Sequence, residues 1–527
     1  MTNRKSEYKA LLFSTTVRNP ERMKNYVKVI SNYQNKVLTN NIIMQIVKDI
    51  IKNKLYYTNY ERNNPLLWNI YNSDEEFSDE QVQEIINNSP QDHKEAGFDH
   101  GWPSRFDTIF KIIKEFGFIY YEFNKPVEIS ETGQLLINSI SNNNPELEEQ
   151  AFLNTLVKYQ RNNPFRRVLN ENQPFTLLLK VLRKLKEYPI KDNDMISKRE
   201  VAFIISSASD DENHIYGQIK NLREKFGFEY SDDVVYEECL KELHAQGREK
   251  KFKKKNILKE LPDDFIRKMR MTGLITLRGY GRFIDYNAEE KEKIDYILNK
   301  YSGHSSKYEN EYDYYVYMSK IDSRLINISS KKNTITIEES INKWTEYFNW
   351  ETIKKELSIL SSNRKSKHDI LKFIDEPTRL EFLTSIALKK WFVDLIVKPN
   401  YLIDDEGLPR RHAGGGMPDI ICYDDNNYSL LEVTLLTGNQ QCVRELPAIG
   451  DHLRDAVKYN EDAFSIFIAP TIHRRSYEYA EFLNFKDGLL IALYTIMQFA
   501  STIESGIEFN KIKNVIDVKK NIWTKSD

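Results

Sequence analysis

In SRFDTIFKIIKEFGFI, apolar residues from Phe106 to Phe116 return every three or four positions. This spacing gathers them on one face of a helix, and Gly117 is placed to end it. The period then shortens. GFIYYEFN and PVEIS read as strands on either side of an Asn124-Lys125-Pro126 turn, and Ser130-Glu131-Thr132-Gly133 starts another helix. The same succession returns in DDFIRKMRMTGLITLRGYGRFIDYNAEEKEKIDYIL, as a helix, Gly273, a strand, a Gly279-Tyr280-Gly281 turn, a strand and a final helix. Amphipathic helical segments precede it at 175–185, 198–205 and 215–226.

Helix, hairpin, helix is the outline of a winged helix, and it occurs here twice without a detectable sequence repeat. From 301 to 330 the chain turns polar and tyrosine-rich (YSGHSSKYENEYDYYVYMSK), with little to build a core of its own, which predicts a linker. Beyond it a long amphipathic helix over 377–392 leads to two apolar runs, DIICYD and YSLLEVTLL. A helix and a third run, FSIFIAP at 464–470, follow. That order predicts a mixed sheet flanked by helices. The expected architecture is multidomain α+β. A mostly helical, winged-helix-like subdomain covers 1–145, a second covers 146–300, a linker 301–330, and an α/β domain 331–527.

Composition narrows the class. A chain of 527 residues is too long for one ordinary core, and 40% hydrophobic with 29% charged residues describes a folded soluble protein. Cys239, Cys422 and Cys442 are too few and too scattered for a disulfide framework or a CxxC zinc site, which points to a reducing cytoplasm. No apolar run reaches bilayer length, and the N-terminus has no apolar stretch after its basic residues, so membrane insertion and secretion are not expected. The net charge of −2, from 76 Lys+Arg against 78 Asp+Glu, excludes a uniformly basic coat. Positive charge is local. GREKKFKKKN gathers Arg248, Lys250, Lys251, Lys253, Lys254 and Lys255, a density that repels itself unless solvated or met by anions.

The chemistry concentrates in HAGGGMPDIICYDDNNYSLLEVT. Asp419 opens one predicted strand, and Glu432 lies in the next after an Asp424-Asp425-Asn426-Asn427 turn, so a hairpin brings the two carboxylates together. Glu432 sits between Leu431 and Val433, where an ionised carboxylate is costly unless a cation or donors compensate it. Hard oxygen ligands of this kind suit Mg²⁺, which keeps several waters and accepts phosphate in its remaining positions. Pro-Asp followed by an acid-X-polar strand is the PD-(D/E)xK nuclease signature, with Thr434 where Lys usually stands. Glu381 lies on the preceding helix, in RLEFLTSIAL, on a face with Thr384 and Ser385, and can join the metal shell. In ELPAIGDH, Glu445 and His452 fall two turns apart on one face if the segment is helical beyond Pro447, and His452 can orient or deprotonate a water. The glycines 414–416 beside His412 allow close backbone approach to a phosphate.

RNPER at 18–22, the SRFDTIFKIIKEFGFI and SETG segments, and HAGGGMPDIICYDDNNYSLLEVT with Glu381 before it and ELPAIGDH after it resemble the AlwI-like type IIS restriction endonucleases and their nicking relatives. The resemblance implies N-terminal winged-helix recognition subdomains, a linker, and a C-terminal PD-(D/E)xK domain that cuts double-stranded DNA outside a short asymmetric site. It assigns Glu381, Asp419 and Glu432 to the metal site, the Val433 carbonyl as an additional ligand, and Glu445 and His452 as supporting catalytic residues. It also implies that a residue other than Lys at Thr434 is tolerated. On a winged helix, a recognition helix reads the major groove while wing and basic residues hold phosphates. The candidates are Arg105, Lys111, Arg278 and Arg282, with Lys250, Lys251, Lys253 and Lys254 for positioning. Two rivals are a strand-specific nickase and a winged-helix regulator whose nuclease-like domain is inactive. Cutting both strands with one active site would call for a transient homodimer or a second subunit.

Overall fold

The computed structural model describes residues 6–514 apart from Thr15, Asp74, Arg167, 304–306 and 332–333. The chain forms two compact units, one comprising Met1–Trp68, Glu76–Thr334 and Asp404–Glu406, the other Asn69–Glu75, Ile335–Ile403 and Gly407–Asp527.

The first unit is mostly helical. Its Trp102–Glu115 helix buries Phe106, Ile109, Phe110, Ile112 and Ile113, the stripe that the apolar spacing marks out. Strands β1 (Ile119–Tyr120) and β2 (Glu128–Ile129) pair antiparallel, with Asn124 in the left-handed region (φ 62°) at the turn between them. The Ser130 hydroxyl then accepts from the Gly133 amide at 2.8 Å, which caps the Glu131–Ser141 helix. The second succession is also present. The Leu261–Arg270 helix precedes β4 (Ile275–Arg278) and β5 (Phe283–Tyr286), and the Lys291–Lys300 helix follows. Gly279, Tyr280 and Gly281 all adopt positive φ at the tip. A third strand, β3 (Ile196–Ser197), pairs with β5 at the edge of the segment expected to be wholly helical. The helix there is shorter, Val201–Ser206.

The two units group the expected ranges differently. Apart from Asn69–Glu75, residues 1–145 and 146–300, expected as two subdomains, fall in one unit. The expected linker is folded into that same unit: Glu311–Ser319 and Ser323–Ile326 are helices, with Tyr314, Tyr315, Met318 and Leu325 buried. Two of its tyrosines act as core residues because the ring buries while the hydroxyl finds a partner: Tyr314 accepts from the Gln160 amide at 3.1 Å, and Tyr301 donates to Asp322 at 2.6 Å. Gly117 shows how close this packing is, since a Cβ there would run into the Met318 side chain. Within the expected linker and α/β ranges, 304–306, 332–333 and 515–527 lie outside the described residues.

The second unit carries a five-stranded sheet in the order β12-β11-β10-β9-β6. Its strands are β6 (Ile396–Pro399), β9 (Ile420–Tyr423), β10 (Tyr428–Val433), β11 (Phe464–Ala469) and β12 (Ile491–Thr495), with a separate pair of β7 (Leu402–Ile403) and β8 (Pro409–Arg411). β9 runs antiparallel to both β6 and β10, while β10, β11 and β12 run parallel. The sheet is mixed, and β11 is buried along its whole length, as its continuous apolar run requires. The Glu376–Trp391 helix precedes the sheet, and Leu446–Val457 covers one region of it through Leu446, Ile449 and Leu453 packed against Phe467, Leu483 and Leu493. Among the described residues, no helix is long and apolar enough to cross a membrane.

Candidate active site

Pairing between β9 and β10 ends at Ile420↔Leu431, so one step further Glu432 comes opposite Asp419 on the same face of the sheet. The Asp424 amide donates to the Asn427 carbonyl at 3.0 Å and closes the hairpin that sets this register. Asp419 Oδ2 accepts from the Val433 amide at 2.8 Å. Here the carboxylate takes a donor that β9 backbone no longer reaches.

Glu381 projects from the Glu376–Trp391 helix and is 4% exposed. The Asp375 side chain caps that helix at the Thr378 amide, with Pro377 in its first turn. Glu381 Oε2 accepts from the Ala413 amide at 3.0 Å, in the loop beside the glycine run. Pro447 tolerates the first turn of the Leu446–Val457 helix, and that helix carries His452 to Glu432, with Nδ1 2.8 Å from Oε1. Glu445 lies half-buried just before it.

The electrostatics of these groups agree with their proximity. Glu381 is held well above the usual carboxylate range, first by burial and then by the charges of Asp419, Asp375 and Glu432. Asp419 is likewise raised well above that range by burial, Glu432 and Glu445, against which only the Val433 amide acts. Burial also raises Glu432, opposed by the His452 hydrogen bond and charge and by the Asp419 amide. Glu445 is raised by burial and by Glu432, and His452 is raised mainly by its hydrogen bond to Glu432. Negative charge is concentrated here beyond what neighbouring donors offset.

Such a donor set, three carboxylates from a helix and two strands, has the chemistry of a site for a hard divalent cation. As the side chains stand, each of the three turns one oxygen to a protein donor, and among the described residues no three acidic, His or Cys groups converge in the arrangement that would hold a metal ion. The uncompensated charge supplies the reason a cation would be favourable. Val433 meets Asp419 through its amide. His412 Nδ1 lies 2.7 Å from the Ala413 carbonyl, and a Cβ on Gly414 or Gly416 would meet nothing within 4 Å.

The basic candidates are dispersed over the first unit. Arg105 is half-buried, with Nη1 2.9 Å from His93 Nε2 and its guanidinium over the Tyr56 ring, and Lys111 lies 3.8 Å from Glu95. Arg282 is exposed at the β4–β5 turn. Its neighbour Arg278 meets protein carboxylates, at 2.9 Å to Asp285 and 2.6 Å to Glu406 with Asp405 as a third partner, which gives it a structural post beside the DNA contact expected of it. Lys250 and Lys253 are exposed, while Lys251 and Lys254 pair at the surface with Glu7 and Asp233. One contact of the site has no sequence signal. Asn400 donates to both Pro418 and Asp419, yet an Asn after Pro at a strand end reads only as a turn residue.

The family profile described as AlwI restriction endonuclease matches residues 114–349 and 335–501. Among solved structures, the small subunit of the heterodimeric restriction endonuclease R.BspD6I matches at 23% identity over 31% of this chain and 86% of its own, with a TM-score of 0.27. Restriction endonuclease FokI matches at 11% identity over 94% and 96% with a TM-score of 0.25, and FokI bound to DNA at 13% over 97% and 98% with a TM-score of 0.24. No curated protein matches the chain.

Proposed function

The chain belongs to the AlwI restriction endonuclease family, a family of DNA-cleaving hydrolases, and from that membership we propose that it is a type IIS enzyme. In this reading it binds a short asymmetric sequence in double-stranded DNA and hydrolyses phosphodiester bonds a fixed distance outside it with Mg²⁺. The observation that carries the proposal is the placing of Asp419 opposite Glu432, with Glu381 close enough for the charges of both to raise its pKa.

Glu381, Asp419, Glu432 and the Val433 carbonyl are the groups that would hold the ion in a PD-(D/E)xK domain. Bound Mg²⁺ would supply a Lewis acid for phosphate oxygens and make a nearby water more acidic. His452 stands with Nδ1 toward Glu432, so Glu432 orients the ring and leaves Nε2 as the basic nitrogen to take a proton from the attacking water. Glu445 adds negative charge beside Glu432. Thr434 needs to supply no charge in such a scheme. The helix–hairpin–helix segments serve as winged-helix readers, with Arg105, Lys111 and Arg282 toward DNA and Lys250, Lys251, Lys253 and Lys254 on phosphates. A single constellation of carboxylates cuts one strand at a time, so double-strand cleavage uses a second copy or a second subunit in transient association.

Incubating the protein with supercoiled plasmid and Mg²⁺, then sequencing the ends, tests this reading. Linear product whose ends lie at a constant offset from a recurring short sequence is the expected result. Open circles that never become linear would identify a nickase. Plasmid left supercoiled while a specific duplex is still shifted would identify a regulator and sink the proposal.

A further inference from the structure

We infer that Asn400 is a positioning residue for Asp419, holding the peptide that carries this carboxylate from the flank opposite Val433. The inference rests on the nuclease reading above and adds a residue to which that reading gives no role.

Asn400 directly follows β6, whose pairing with β9 ends at Pro399↔Ile420. One step further, Asn400 comes opposite Asp419, as Glu432 does on the other side. The Asn400 backbone amide donates to the Asp419 carbonyl at 2.9 Å, and its side-chain amide donates to the Pro418 carbonyl at 2.6 Å. The side chain thus supplies one more donor where the backbone ladder stops. With Oδ2 of Asp419 bonded to the Val433 amide, this residue is pinned from both neighbouring strands.

Asp419 needs such pinning. The chain ahead of it runs through Gly414, Gly415 and Gly416, with Gly416 at φ 84°, and neither Gly414 nor Gly416 has packing within reach of a Cβ. Glycine is the least stiff of residues, so this loop transmits little restraint to the strand it feeds. The two Asn400 hydrogen bonds supply the restraint that this pliable loop does not. An error of about 1 Å in a reacting group costs roughly 100-fold in rate, so the restraint bears on the chemistry.

The test is Asn400→Leu, which keeps approximate size and removes the donor. Cleavage kcat should fall about 10- to 100-fold with KM for DNA within about threefold of the parent, and affinity for Mn²⁺, measured calorimetrically on the full chain without DNA, should fall by a comparable factor. A variant that melts like the parent and keeps both its kcat and its Mn²⁺ affinity overturns the assignment. If Asn400→Leu does not fold, isosteric Asn400→Asp, which also lacks the donor, decides by the same two readouts. A parent that cuts no DNA speaks against the nuclease reading, whereas a cutting parent with equally fast Asn400 variants speaks against Asn400 alone.

Discussion

His452 Nδ1 lies 2.8 Å from Glu432 Oε1, joining a helix to the central strand of the mixed sheet across twenty residues of sequence. The bond arises because Leu446, Ile449 and Leu453 seat the helix on the sheet core, which leaves the polar face of its second turn toward β10. Its consequence is kinetic. His452→Ala should lower cleavage kcat about 100-fold, in the range of a lost general base, while Mn²⁺ affinity changes far less. Equal losses in both would make His452 a support for the carboxylates instead.

Asp419→Ala and Glu432→Ala should each abolish Mg²⁺-dependent cleavage and leave specific duplex binding within about threefold of the parent, since the DNA contacts proposed above fall on other residues. Gel shifts beside plasmid cleavage check this. Loss of binding in a folded variant would contradict the division of labour between the units.

Asp419 should cost the metal-free protein stability at neutral pH. Burial and Glu432 raise its folded-state pKa. A group raised in this way contributes stability that is fully present below its unfolded pKa, near 3.9, and is lost as pH rises through the folded value. Asparagine does not titrate and can still accept from the Val433 amide. In EDTA, Asp419→Asn should therefore melt above the parent at pH 8, with the advantage shrinking toward pH 5. Mg²⁺ should then raise the Tm of the parent more than that of the variant. A gap independent of pH would show that the charge of Asp419 carries no such cost.

Arg278 and Arg282 flank one turn but should fail differently. Arg278→Ala leaves Asp405 buried without its cation and Asp285 with Lys186 alone, and should lose on the order of 3 kcal/mol of stability. Arg282→Ala, at an exposed site, should leave stability within about 0.5 kcal/mol and weaken duplex binding. Denaturant melts and binding titrations at two salt concentrations separate the two outcomes.

Local pattern made much of the architecture legible. Helical spacing marked the Trp102–Glu115 and Glu376–Trp391 helices, and the Gly279-Tyr280-Gly281 turn marked the β4–β5 hairpin. The hairpin carrying Asp419 and Glu432 was equally readable, because an alternation of two and a polar four-residue turn leave few registers open. Short edge elements were not. β3, β6, β7, β8 and β12 owe their pairing to partners distant in the chain, and brief strands carry too little pattern to announce themselves. The tyrosine-rich 301–330 segment misled for a related reason: a tyrosine is polar in a sequence window, yet buries when tertiary neighbours satisfy its hydroxyl.

Residue types and their order thus decided which acids were available and which two would face each other, since a hairpin is closed by local contacts alone. Tertiary packing decided the rest. It set Glu381 near that pair, turned His452 onto Glu432, bound Asn400 to the Asp419 peptide and drew Arg278 into a nest of carboxylates. Those outcomes depend on which elements dock together, and the free energy of docking is shared among many apolar side chains that no short motif records.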